Sequence, residues 1–234
     1  MSIDLLVFGP HPDDLEIGLG GAIARHAADG RSVGLCDLSL GELGTNGTPA
    51  ERRREAADAA RVLGAAFREN LEWPDGDLGE TPERVRAAVD LIRRHRPRTI
   101  AVPHWEDRHP DHVAASRTLT VAAFRSGLRR YDTGAPPWRA DWICYYFINA
   151  FAAPSFLIDV SAHYETKRAA LACHQSQFAP SSPDAAPTRL TAATFQQLIE
   201  SRDAQFGAQA GVAFAEGLIV REPIVRRSLM RELP

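Results

Sequence analysis

The chain has 234 residues, 44% hydrophobic and 24% charged, with a net charge of −3. These are the proportions of an ordinary globular protein, with length for one large domain spanning 1–234. The mild acidity argues against a nucleic-acid partner, and no apolar run approaches the about 20 residues that span a bilayer. The opening MSIDLLVFG lacks the basic start of a secretory signal. Cys36, Cys144 and Cys173 are odd in number and form no CxxC pair, which suits small buried cysteines in a cytoplasmic protein.

In chain order, residues 3–8 (IDLLVF) form a short apolar run that predicts a buried strand. Residues 15–29 read as a helix stopped by Gly30, and residues 32–38 as a second strand. The loop 41–49 is dense in turn formers. A helix then follows over about 50–63, ending at Gly64, with Ala56, Ala60 and Leu63 on its inner face. After a strand near 70–73, Thr81-Pro82-Glu83 opens another helix, which Pro97 closes. Residues 99–102 (TIAV) predict a strand and 111–124 a helix. Further on, 141–151 and 156–160 are strand candidates, and 162–177 and 191–206 helix candidates. The stretch between these helices, APSSPDAAPTR, is the most linker-like. Strand–helix alternation predicts an α/β protein: a single-domain, Rossmann-like, three-layer α/β/α sandwich with a mostly parallel sheet.

The phrase His-Pro-Asp occurs twice, in GPHPDDLEIGLGG at 9–21 and in DRHPDHVAAS at 107–116. Each copy directly follows a predicted strand. In open parallel sheets, ligands bind outside the carboxyl ends of the strands, so neighbouring strands would bring both phrases to one crevice. His11 and Asp14 are three residues apart, as are His109 and His112, on one side of a helical turn. Imidazoles and carboxylates on such turns suit a catalytic zinc site, and the same donors hold Fe(II) or Mn(II). A lone aspartate after a strand is often a helix cap; the duplication favours a metal site. The cluster Gly18-Leu19-Gly20-Gly21 does not complete a GxGxxG fingerprint, because Ile23 stands at the last glycine. These glycines fit close packing of the first helix on the sheet.

HPDDLE after the first strand and HPDH after a later one resemble the PIG-L/LmbE family of zinc-dependent N-acetylglucosaminide deacetylases. The stretches ICYYFINAF, FLIDVSAHYETKRAAL, HQSQF and GVAFAEGL resemble the branch acting on N-acetylglucosaminyl-L-malate in bacillithiol biosynthesis. The resemblance implies zinc held by His11, Asp14 and His112, with Asp13 as general base. It implies that His109 stabilises the oxyanion or protonates the leaving amine, with Asp111 orienting it. Arg52 matches a family arginine in an R-x-x-E context. Arg52 and Arg108 are the candidates for the malate carboxylates, and Glu42 for sugar hydroxyls. Relatives form trimers or hexamers, which implies a homo-oligomer. Where some relatives carry a late tyrosine, this chain offers Phe195.

His104 and Asp107 match no ligand position and read as supporting residues. Trp105 reads as packing beneath the loop, and His26, His95, His163 and His174 as surface or packing residues. An amidase of thiol S-conjugates, or a deacetylase of another GlcNAc glycoside, would use the same metal site. A non-catalytic metal- or sugar-binding module would have no use for Asp13 as a base.

Overall fold

The first strand, β1 (Leu5–Gly9), is buried along its whole length, with Leu5 and Val7 in one core and Leu6 and Phe8 in another. A strand covered on both faces belongs inside a helix-flanked sheet. In the computed structural model, which describes residues 2–181, 183–225 and 228, β1 pairs in parallel with β2 (Val33–Ser39) and with β4 (Thr99–Pro103). Beyond β2 lies β3 (Phe67–Trp73), and beyond β4 lies β5 (Trp142–Tyr146), both parallel. The far edge is β6 (Phe156–Asp159), joined to β5 through an antiparallel strand, β7 (Ala215–Ile219). The order is therefore β3-β2-β1-β4-β5-β7-β6.

Helices cover both faces. One core gathers residues of α1 (Asp14–Ala28), α2 (Pro49–Leu63), α5 (Tyr164–Cys173), α6 (Gln175–Phe178) and α7 (Ala193–Ala210). The other gathers α3 (Pro82–His95) and α4 (Pro110–Ser126). This is the α/β/α sandwich expected from the sequence. The local signals act as anticipated: Thr48 and Glu51 form a reciprocal capping box at α2, and Gly64 closes that helix in the left-handed conformation. Among the described residues, no helix is long and apolar enough to cross a membrane.

Three expectations change. The strand expected over 141–151 ends at Tyr146, and the chain then turns toward the sheet's carboxyl edge. The helix expected over 162–177 is broken at His174 into α5 and α6, after a short 3-10 turn. Strand β7 was not expected at all, since it is short and carries Glu216 at its second position.

Glu216 is tied to a kink in α1. Leu19 has non-helical angles (φ −135°, ψ 17°), which frees the amides of Gly21 and Ala22. Both donate to the Glu216 carboxylate, at 2.9 and 2.7 Å. Lys167 Nζ, fully buried, donates to Glu216 at 2.6 Å and to Asp203 at 2.7 Å. On the other side of the kink, Arg202 donates to the carbonyl of Ile17. Opposite charges thus meet within one buried cluster, so no member is left unpaired. A Cβ on Gly18 would lie 2.3 Å from the ring of Tyr146, so the helix packs at that distance only with glycine there.

Candidate metal centre and active site

β1 continues to β2 on one side, while β4 lies on the other, so the sheet reverses its winding between β1 and β4. That is where an open parallel sheet leaves a crevice at its carboxyl end. The two His-Pro-Asp phrases occupy its two sides. The first leads into α1; the second leads into α4, with His109 as N-cap and Pro110 in the first turn.

Three donor groups converge there. Asp14 Oδ2 lies 3.1 Å from His11 Nδ1 and 3.2 Å from His112 Nε2, and all three residues are buried. Ligands at about 2.1 Å around a tetrahedral ion stand roughly 3.4 Å apart, so the spacing suits a small divalent cation. The outer nitrogens fix the tautomers. His112 Nδ1 faces Asp107 at 3.1 Å, leaving its Nε2 lone pair toward the centre. His11 Nε2 faces Asp75 at 3.0 Å and Asp111 at 3.2 Å, leaving Nδ1 toward the centre. The donor set therefore fits a metal ion. Without one, burial lowers the His112 pKa, but Asp14 and Asp107 outweigh it and raise it to about 9.

Asp13 sits beside the triad, buried, with φ 130°, a region that costs an L-residue of order 1–3 kcal/mol. Arg52 fixes it: the guanidinium donates to Asp13 Oδ2 at 3.3 Å and to the carbonyls of Pro12 and Gly41 at 2.9 Å. Burial pushes the Asp13 carboxyl up to about 6; Arg52 works against the rise and Asp14 adds to it. Arg52 is thus engaged within the protein, in place of the expected open contact to a substrate carboxylate. Glu42, expected to meet sugar hydroxyls, is exposed and accepts from the amide of Asp75 at 2.8 Å.

The His109 ring is stacked on His112, with centroids 4.7 Å apart. Its Nδ1 accepts from the backbone amide of Asp111 at 3.2 Å, so the proton of the neutral ring resides on Nε2. Burial and the imidazoles of His112 and His11 hold its pKa below the usual histidine range. The Asp111 carboxylate faces His11, and not the His109 ring as expected; it also accepts from Gly76 N at 2.9 Å. Asp75, in the turn Pro74-Asp75-Gly76 after β3, carries no local sequence signal, and Asp107, expected only as a supporting residue, stands behind His112.

A cavity of about 550 Å³ opens over these groups. Arg52, Arg108, Phe195 and Arg189 line it, with Leu43, Leu190 and Ile148 adding apolar wall. Phe195 therefore does stand in the cavity, without a hydroxyl. Trp105 is a packing residue, against Tyr145 and under the guanidinium of Arg221. His174, expected at a surface or in packing, is fully buried, with Nε2 3.3 Å from Glu16. Glu16 in turn pairs with Arg68, which also binds Asp37, so a buried charged chain runs behind Asp13.

Fold and site together define an open α/β protein with a buried His-Asp-His donor set at the carboxyl end of its sheet. Residues 6–123 match the model of the PIG-L family, described as GlcNAc-PI de-N-acetylase. A diacetylchitobiose deacetylase of Thermococcus kodakarensis is 31% identical over 189 residues, 74% of this chain and 70% of that protein. A 1D-myo-inositol 2-acetamido-2-deoxy-alpha-D-glucopyranoside deacetylase of Mycobacteroides abscessus is 28% identical over 228 residues, 74% of this chain and 81% of that protein. Among solved structures, a conserved protein of Thermus thermophilus superposes with a TM-score of 0.89 and 38% identity, over 98% of this chain and 100% of the other. The chain belongs to the PIG-L family, and it is a deacetylase, an amide hydrolase.

Proposed function

We propose that the chain removes the N-acetyl group from a small N-acetylglucosaminide, foremost N-acetylglucosaminyl-L-malate, giving acetate and glucosaminyl-malate for bacillithiol biosynthesis in the cytoplasm. The deacetylase relatives support an acetamido sugar as substrate. The malate aglycone is supported by the branch-like stretches of sequence and by the arginines at the cavity. The single observation carrying the reading is a buried carboxylate, Asp13, held beside a His-Asp-His donor triad.

His11, Asp14 and His112 would hold the ion, zinc by the chemistry of the donors. When bound, it supplies an acidified water and a Lewis acid for the amide carbonyl. Asp13 accepts the proton of the attacking water, and Arg52 keeps that carboxylate aimed and largely ionised near neutral pH. Its raised pKa makes it a stronger base than an exposed aspartate. The Nε2–H of His109 donates to the carbonyl oxygen as negative charge develops there. A donor aimed in this way lowers the barrier by roughly 3 kcal/mol. The proton taken by Asp13 then passes to the departing amine, which leaves as the free glucosaminide.

Asp13→Asn tests the role of the base. The variant is expected to keep its metal stoichiometry and lose at least about a hundredfold in kcat, the contribution typical of a positioned base. Unchanged turnover would remove Asp13 from the mechanism.

A further inference from the structure

Arg108 and Arg189 both line the active-site cavity and are both exposed. Among the described residues, neither has a carboxylate within 4.0 Å. Arg189 is held in place: Nη1 donates to Asn149 Oδ1 at 2.9 Å, and the guanidinium carbon lies 5.0 Å from the Phe195 ring centroid. Asn149 is itself fixed, donating to Asp107 through its backbone amide at 2.9 Å and its side chain at 3.0 Å. Thr188 and Thr191 bond to each other across the turn that carries Arg189.

The same Asp107 carboxylate that orients His112 thus anchors, through Asn149, a guanidinium at the mouth of the cavity. The Asp107 charge is met directly by the His112 ring and by the amides of His109, Asn149 and Ala150; it supports the Arg189 charge from a distance, less than burial and Arg108 oppose it. Burial, and next the charge of Arg108, lower the Arg189 pKa, though the guanidinium stays protonated. Two cations facing one space repel unless an anion enters it. The planar guanidinium matches a carboxylate through paired hydrogen bonds.

We propose that Arg189, together with Arg108, is the receptor for the carboxylates of the aglycone and sets a preference for anionic over neutral acetamido glycosides. The inference rests on the deacetylase reading of the same cavity. It replaces Arg52, whose guanidinium is occupied by Asp13, as the second cation. Two guanidiniums match the two negative charges of a malyl group.

The test compares wild type, Arg189→Gln and Arg189→Lys, each zinc-loaded, on N-acetylglucosaminyl-L-malate and on neutral methyl N-acetylglucosaminide. Charge-assisted hydrogen bonds contribute about 1.5–3 kcal/mol, so Arg189→Gln is expected to lose about 10- to 100-fold in kcat/KM on the malate glycoside. The loss should fall mainly in KM and exceed the loss on the neutral glycoside by at least about tenfold. Arg189→Lys should recover part of it, since lysine keeps the charge without the fork. Equal losses on both substrates would show a structural role and overturn the receptor, as would no loss on the malate glycoside. Wild type that cleaves the neutral glycoside as well as the anionic one would also overturn it while leaving the deacetylase reading intact. Wild type that cleaves neither would overturn both.

Discussion

Asp107→Asn tests how far the metal triad depends on the residues behind it. Oδ1 of Asp107 accepts from His109 N at 2.8 Å and Asn149 Nδ2 at 3.0 Å, and faces His112 Nδ1 at 3.1 Å; Oδ2 accepts from Asn149 N at 2.9 Å and Ala150 N at 3.4 Å. Every partner is a donor. Asparagine keeps one acceptor oxygen, so its NH2 must point at donors whichever way it turns. A buried donor left without an acceptor costs roughly 1–3 kcal/mol. Loss of the carboxylate behind a ligand imidazole costs about 10- to 100-fold in metal affinity. Zinc affinity measured by competition with a chromophoric chelator should therefore fall by that factor, with a melting temperature lower by several degrees. The side chain is 4% exposed, so solvent offers little compensation. Unchanged affinity at an unchanged melting temperature would refute the assignment of Asp107 as support for His112.

Lys167→Met leaves Asp203 and Glu216 buried without their shared cation, which should cost roughly 3–5 kcal/mol. For a chain of this length that corresponds to a melting temperature lower by roughly 10 °C, and a shift under about 2 °C would contradict the role given to the cluster. Metal binding should release protons, because burial lowers His112 but its aspartates raise it to about 9 in the metal-free protein, and a ligand imidazole must be deprotonated. Zinc affinity should therefore fall as pH falls from about 9 to about 6, by up to about tenfold per unit for each proton displaced. Calorimetry in buffers of different ionisation enthalpy checks this, and a pH-independent affinity would count against a histidine-based site.

The parts legible in the sequence are those whose signals are local. HPDD and HPDH each place ligand side chains within a few residues of a helix start, opened by Pro110 in α4 and led by Asp13 in α1, and the structure brings both phrases to the β1–β4 crevice. Asp75, Asn149 and Arg189 carry no such signal. They stand on three separate loops, after β3, after β5 and before α7, and meet only because the sheet gathers those loops at one edge. The apolar run after Tyr146 resembles a continued strand because Phe147 and Ile148 are buried. They are buried by a helix and by the cavity wall, outside the strand ladder. β7 was concealed by Glu216, whose charge is acceptable in a buried strand because Lys167 and two amides of the kinked helix satisfy it. The family resemblance gives Asp111 to His109, whereas the first turn of α4 points its carboxylate across the crevice to His11.

The most direct test of the account incubates zinc-loaded protein with N-acetylglucosaminyl-L-malate and with free N-acetylglucosamine, with and without chelator, and measures the amine released. Release is expected that the chelator abolishes, that zinc restores, and that favours the malate glycoside. Release that survives complete metal removal, or its absence from every acetylated glucosaminide offered to the metal-loaded protein, would contradict it.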